Sequence, residues 1–247
     1  MPNIYLSPST QEYNPYITGS GSEEYWMNRI ADAMEPYLRA NTIRFTRNTP
    51  EMTAASSIAQ AARGSYDFYL ALHSNASGDS SSEGRQRGII AFYYPTSTNG
   101  RRAADIFVKN LKEIYPLPQL VTARATTALG EVRQPKMPSV LLEIGYHDNT
   151  ADARWIEENV QPIAENLSRS LTEYFALPFI YPTTPRTGTV ITEESALNVR
   201  AYPSMSGQVV GSVPREAQLT VYGQYDSWYS MAYGNLAGYV RSEYVRV

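Results

Sequence analysis

The chain has 247 residues, 43% hydrophobic and 18% charged, with a net charge of −3, no Cys and two His. Such a composition belongs to a folded globular protein and excludes a disordered or collagen-like chain. It also excludes disulfide frameworks, iron–sulfur clusters, thiolate metal centres and a thiol nucleophile, so any metal site has to draw on oxygen donors besides imidazole. The small negative charge exerts no long-range pull on nucleic acid or an anionic membrane surface, so neither partner is expected. Membrane insertion is not expected either, because no run of about 18 apolar residues is present.

The first residues, Met1-Pro2-Asn3-Ile4-Tyr5-Leu6-Ser7, lack the basic start and long apolar stretch of a signal peptide and lead directly into a strand. Export by another route, release by lysis, or a chain truncated of its signal are the corresponding expectations. Up to about residue 177, short apolar runs alternate with helical periodicity. The strand candidates are Ile4–Leu6, Ile43–Thr46, Phe68–His73, Gly88–Tyr94 and Val140–Gly145. Between them, Glu23–Ala40 carries Trp26, Met27, Ile30, Met34 and Leu38 on one face, with Pro36 expected to kink or end it. Met52–Arg63 stops at Gly64, Arg101–Tyr115 carries Ile106, Phe107, Leu111 and Ile114, and Ala151–Asn159 is followed by Pro162–Phe175. The alternation predicts an α/β domain with helices on both faces of a mixed sheet. The Gly/Ser-rich stretch 76–87 is too polar for a core.

Four interrupting residues, Pro178, Pro182, Pro185 and Gly188, mark 178–187 as a linker. Beyond it the texture changes. Residues 188–247 hold no Lys and no His but seven of the 20 Tyr and Trp228. Short alternating segments (Gly188–Ile191, Val209–Val213, Gln218–Tyr222, Tyr229–Tyr233, Ala237–Arg241) predict a small all-β barrel of about five strands. Most of its aromatic side chains are expected in the barrel core.

Two residues stand where chemistry is done. His73 ends the buried run Phe68-Tyr69-Leu70-Ala71-Leu72-His73, at the carboxyl edge where open α/β sheets bind ligands. Glu143 interrupts Val140-Leu141-Leu142-Glu143-Ile144, and a carboxylate there costs several kcal/mol unless it is paired, protonated or on a metal. Glu23 and Glu24 open the first long helix, where acids also complement the helix dipole. A strand-end His, a helix-start Glu and a strand Glu are together the parts of a hydrolytic zinc site: nitrogen and oxygen donors, and a further carboxylate as general base.

On these residues the chain resembles the zinc-dependent N-acetylmuramoyl-L-alanine amidases over about residues 3–176. Leu72-His73-Ser74-Asn75-Ala76 is similar to the family's Ile-His-Ala-Asn-Ala, whose histidine binds zinc, and Glu143-Ile144-Gly145-Tyr146 to its Glu-Ile/Thr-Gly-Phe, whose glutamate is catalytic. Glu24, four residues before Asn28, matches the helix-borne zinc glutamate, and Thr46-Arg47 fits as well. The family's Asp-Pro-Gly-His-Gly is replaced by Ser7-Pro8-Ser9-Thr10-Gln11-Glu12, without a histidine. The resemblance therefore implies Zn²⁺ held by Glu24, His73 and a third ligand, Gln11 in preference to Glu12 or His147, with Glu143 as catalytic base. Asn75 and Arg133 are candidates for contacts with substrate.

Residues 188–247 resemble a bacterial SH3-type module through Leu197-Asn198-Val199-Arg200, Ser227-Trp228-Tyr229 and Gly238-Tyr239-Val240. The combined resemblance implies a catalytic domain over 1–177, a linker over 178–187 and a wall-binding domain over 188–247. Peptidoglycan is then the partner, and the place of action is the cell wall or the extracellular space. A non-catalytic wall-binding protein on a degenerate amidase scaffold, and a zinc peptidase cutting the stem peptide, stay open as alternatives.

Overall fold

The computed structural model describes residues 1–78 and 82–247, so residues 79–81 of the expected polar stretch 76–87 lie outside the described residues. The chain packs as two compact units, one of residues 3–34 and 45–174, the other of residues 1–2, 35–44 and 175–247.

In the first unit, β1 (Asn3–Pro8), β2 (Arg44–Arg47), β3 (Phe68–Asn75), β4 (Ile89–Tyr93), β5 (Val121–Ala125) and β6 (Ser139–Tyr146) form one sheet in the order β2-β1-β3-β6-β4-β5. β3 runs parallel to β1 and β6, β5 runs parallel to β4, and β4 pairs antiparallel with β6, so the sheet is mixed. The near-continuous apolar runs of β3 and β6 are those of strands covered on both faces. The helices are α1 (Glu23–Ala40), α2 (Ala54–Ala61), α3 (Thr98–Leu111), α4 (Gly130–Arg133), α5 (Thr150–Glu158) and α6 (Val160–Tyr174). Adjacent strand residues separate them: Phe68 meets Phe107 of α3 and Tyr174 of α6, whereas Tyr69 packs with Ile58 of α2 and Val132 of α4.

Several local expectations change. α1 runs on through Pro36 to Ala40, because buried Met34 and Leu38 anchor it on both sides of the lost hydrogen bond. β5 and α4 escaped the sequence patterns: β5 is a sheet-edge strand, Val-Thr-Ala-Arg-Ala, with Val121 alone buried and no apolar run, and α4 is a single turn. α2 is shorter than expected, since Thr53 accepts from the Ser56 amide in a capping box and sets its start.

One irregularity sits beside the chemistry. His73 pairs with Glu143 but Asn75 with Tyr146, so β6 carries one extra residue at this point. Gly145, at φ 73°, takes the backbone through the bulge. Asp152 of α5 locks the far side by accepting from the Tyr146 and Gly88 amides, the Arg87 Nε and the Tyr115 hydroxyl.

In the second unit, β7 (Arg186–Val190), β8 (Leu197–Arg200), β9 (Val209–Val213), β10 (Gln218–Tyr225), β11 (Trp228–Tyr233), β12 (Leu236–Arg241) and β13 (Val245–Arg246) form an antiparallel sheet ordered β13-β7-β10-β11-β12-β8-β9. Val213 of β9 and Val245 of β13 join one core with Val190, Val199, Leu219 and Met231, so the two ends of the sheet curl onto the same interior. Two strands more than expected are present, β8 within the Leu-Asn-Val-Arg phrase and the two-residue β13. That core is aliphatic, contrary to the expectation for the aromatics. Trp228 and Tyr239 are buried, in a separate cluster with Ala40 and Ile180, while Tyr202, Tyr225, Tyr233 and Tyr244 are exposed. The proline-rich stretch is tied down within this unit, since Ile180 exchanges two hydrogen bonds with the Asn41 side chain at 2.7 and 2.9 Å.

Candidate active site

β3 delivers His73 to the carboxyl edge of the sheet, where its ring lies between two carboxylates. Nδ1 is 2.8 Å from Glu23 Oε1 and Nε2 is 2.9 Å from Glu131 Oε2. Ionised carboxylates only accept, so each ring nitrogen carries a proton and His73 is an imidazolium. Burial opposes that charge, but the hydrogen bonds and charges of Glu131 and Glu23 outweigh it and hold the ring well above its ordinary range. The converse holds for the partners. Burial pushes both carboxyls up, yet the bonds from His73, with Asn14 at Glu23 and with Ser7 and Tyr69 at Glu131, bring both below the usual value.

Of the two helix-start acids, Glu23 is the one at the cluster, 1% exposed, with Asn14 Nδ2 donating to its Oε2 at 2.7 Å. The expected ligand Glu24 points elsewhere: its Oε1 accepts from Asn28 Nδ2 at 3.1 Å. Partial burial and the charges of Glu12 and Glu51 raise its carboxyl, against Arg47. Consecutive helical side chains diverge by about 100°, which is why adjacent acids reach different surroundings.

Gln11 does arrive at the cluster, but by its amide nitrogen. Nε2 is 3.4 Å from Glu23 Oε1 and 3.2 Å from His73 Nδ1, while Oε1 accepts from the Tyr13 hydroxyl and Asn14 Nδ2. Gln11, Tyr13, His73 and Glu131 line a cleft of about 310 Å³ with Met52 and Thr53 on its wall.

Glu143 faces His73 across the β3–β6 pair. Its Oε2 is buried with no hydrogen-bond partner. Burial, opposed by His73 and reinforced by the charges of Glu23 and Glu131, pushes its carboxyl up to about 7. A carboxyl poised there exchanges a proton readily near neutral pH, as a general base and acid must.

Other expected participants lie apart. Asn75 Oδ1 accepts from the Ala76 amide in the turn after β3. Arg133 is exposed and donates to the Thr127 carbonyl at 3.3 Å. Glu12 is exposed. His147 stacks on Tyr16 and donates from Nδ1 to the Ser74 carbonyl at 2.9 Å.

A family model described as N-acetylmuramoyl-L-alanine amidase matches residues 8–173, and one described as bacterial SH3 domain matches residues 195–246. The chain belongs to the N-acetylmuramoyl-L-alanine amidase family. No curated protein matches it. Among solved structures, the catalytic domain of the amidase CwlV from Bacillus (Paenibacillus) polymyxa var. colistinus is similar at 19% identity and a TM-score of 0.61, covering 71% of this chain and 99% of that one. AmiC2 of Nostoc punctiforme is similar at 16% identity and a TM-score of 0.61, covering 71% and 97%. At these identities the likeness is one of fold.

Within this amidase fold, Glu23 and Glu131 are the site residues that sequence reasoning passed over. Glu23 was visible as an acid at a helix start. Glu131 had no periodic signal, because it sits on a single turn between two loops. Among the described residues, no three His, Cys, Asp or Glu side chains converge to hold a metal ion. The donors that do converge are a pair, His73 Nδ1 and Glu23 Oε1, sharing one proton.

Proposed function

We propose that this amidase-family protein is a peptidoglycan hydrolase that cleaves the amide between N-acetylmuramic acid and the L-alanine of the stem peptide, with Zn²⁺ as cofactor. The observation that carries the reading is the unpartnered Glu143 carboxylate opposite the His73–Glu23 pair. A proton lies between His73 Nδ1 and Glu23 Oε1, and these are the donors that would hold the ion. Bound there, zinc would supply a Lewis acid able to polarise the amide carbonyl and to acidify water. Glu143 takes the proton of the attacking water and returns it to the departing nitrogen. The C–N bond breaks, leaving a free lactyl carboxyl and a free alanine amine. Glu131 keeps Nε2 of His73 engaged throughout.

The bacterial SH3 unit holds the catalytic unit on the wall and raises the local substrate concentration by linkage. The place of action is the cell wall or the extracellular space. No helix among the described residues is long and apolar enough to cross a membrane.

Digestion of purified peptidoglycan with and without chelator, with the new ends mapped by mass spectrometry, tests this. Free lactyl groups with new amino-terminal alanine, lost on chelation, are expected. Cuts confined to the peptide point to a stem peptidase. The inward amide nitrogen of Gln11, in place of a third ligand, favours a second reading, a wall-binding protein without catalysis. No release even with added zinc, together with wall binding that survives Glu143→Ala, would establish that reading.

A further inference from the structure

One buried acid has no part in the proton transfers. Glu131 is 4% exposed on the single turn α4, and three side chains donate to it: Ser7 Oγ and Tyr69 OH to Oε1, both at 2.7 Å, and His73 Nε2 to Oε2 at 2.9 Å. Shape alone would be filled as well by an apolar side chain, and a buried charge contributes little to stability in itself. What the carboxylate provides beyond shape is a charged acceptor at the far end of the imidazole. An imidazole held only at Nδ1 still pivots about that contact; a second contact at Nε2, across the ring, removes the pivot and fixes which nitrogen faces the cleft. The acceptor is itself immobile, since its donors come from two adjacent strands, Ser7 on β1 and Tyr69 on β3, and Ser7 also accepts from Asn48 at 3.4 Å.

We propose that Glu131 is the positioning residue of the site: by accepting the Nε2–H it locks the His73 ring so that Nδ1 is presented to Glu23. Its consequence for hydrolysis rests on the catalytic reading above; the locking of the ring does not.

Glu131→Gln is the decisive substitution. Its neutral amide oxygen is a weaker acceptor for Nε2 than the carboxylate, which loosens the ring, while its NH₂ group meets Ser7 and Tyr69 hydroxyls that can accept, so the fold is retained. In metal-free, ¹⁵N-labelled protein, the strongly hydrogen-bonded Nε2–H proton of His73, assigned by its loss in His73→Gln, is expected to move upfield and exchange faster with water. Zinc affinity is expected to fall about 10–100-fold, the range typical of lost outer-shell partners. Tyr69→Phe removes a different hydrogen bond from Glu131 and leaves its contact with His73, so the ring signal is expected to stay in place. An unchanged ring signal and wild-type zinc affinity in Glu131→Gln would overturn the proposal, as would equal shifts in Glu131→Gln and Tyr69→Phe, which mark a merely structural role. If Glu131→Gln does not fold, Glu131→Asp, whose shorter carboxylate draws back from Nε2, is read in the same way. Should the wild-type protein take up no zinc, the catalytic reading fails while the ring signal still decides the role of Glu131.

Discussion

His73 and Glu143 are register partners on adjacent parallel strands, the last pair before the bulge that Gly145 carries. Rigid sheet pairing, with no loop between, sets the carboxylate against the imidazole. If Glu143 moves the protons of the reaction, Glu143→Gln keeps shape and fold but lowers the turnover of solubilised peptidoglycan by about 10²–10⁴-fold. Turnover near the wild-type level, in protein of native circular dichroism, would remove Glu143 from the mechanism.

The same carboxyl predicts a pH-dependent stability of uncommon sign. Burial lifts it from 4.5 to about 7 in the folded protein, so the folded state holds the proton more tightly than the unfolded one. Its contribution to stability is full below about 4.5 and is lost as the pH rises through about 7. Gln at this position is neutral throughout. In chelator, urea midpoints of Glu143→Gln and wild type are expected to agree near about pH 4, with the variant more stable by about 3 kcal/mol near about pH 8. Parallel pH profiles would mean that the carboxyl titrates normally.

Adjacent acids on α1 separate the structural assignment of the zinc donors from the sequence-based one. Glu23→Gln removes an oxygen donor bonded to His73, whereas Glu24→Gln alters a side chain turned toward Asn28. Metal analysis after dialysis against zinc is expected to show loss in the first variant and retention in the second. The reverse result would restore Glu24 as the ligand.

Packing in the bacterial SH3 unit is tested at Gly238. A Cβ there would lie 2.5 Å from Val199 Cγ1 and 2.8 Å from the Arg200 carbonyl oxygen, and backbone does not give way easily. Gly238→Ala is expected to destabilise this unit by about 1–3 kcal/mol, the usual range for overpacking. Calorimetry of the full chain would register the loss as a lowered transition, and an unshifted trace would contradict the close approach of β8 and β12.

Local patterns in the sequence were enough for the alternation of strands and helices, for His73 at a strand end, for Glu143 inside an apolar run, and for the change to a β module after the prolines. Each of these is a property of a short stretch read against burial. The tertiary structure alone decided which of Glu23 and Glu24 meets His73, which end of the Gln11 amide faces the cluster, and that Glu131, 58 residues further along the chain, closes the other side of the ring. Sequence order carries no helical phase precise to one residue and no distance between remote loops. Those quantities arise only when the strands pair and the helices pack over them, and they determine where the protons and charges of this site lie.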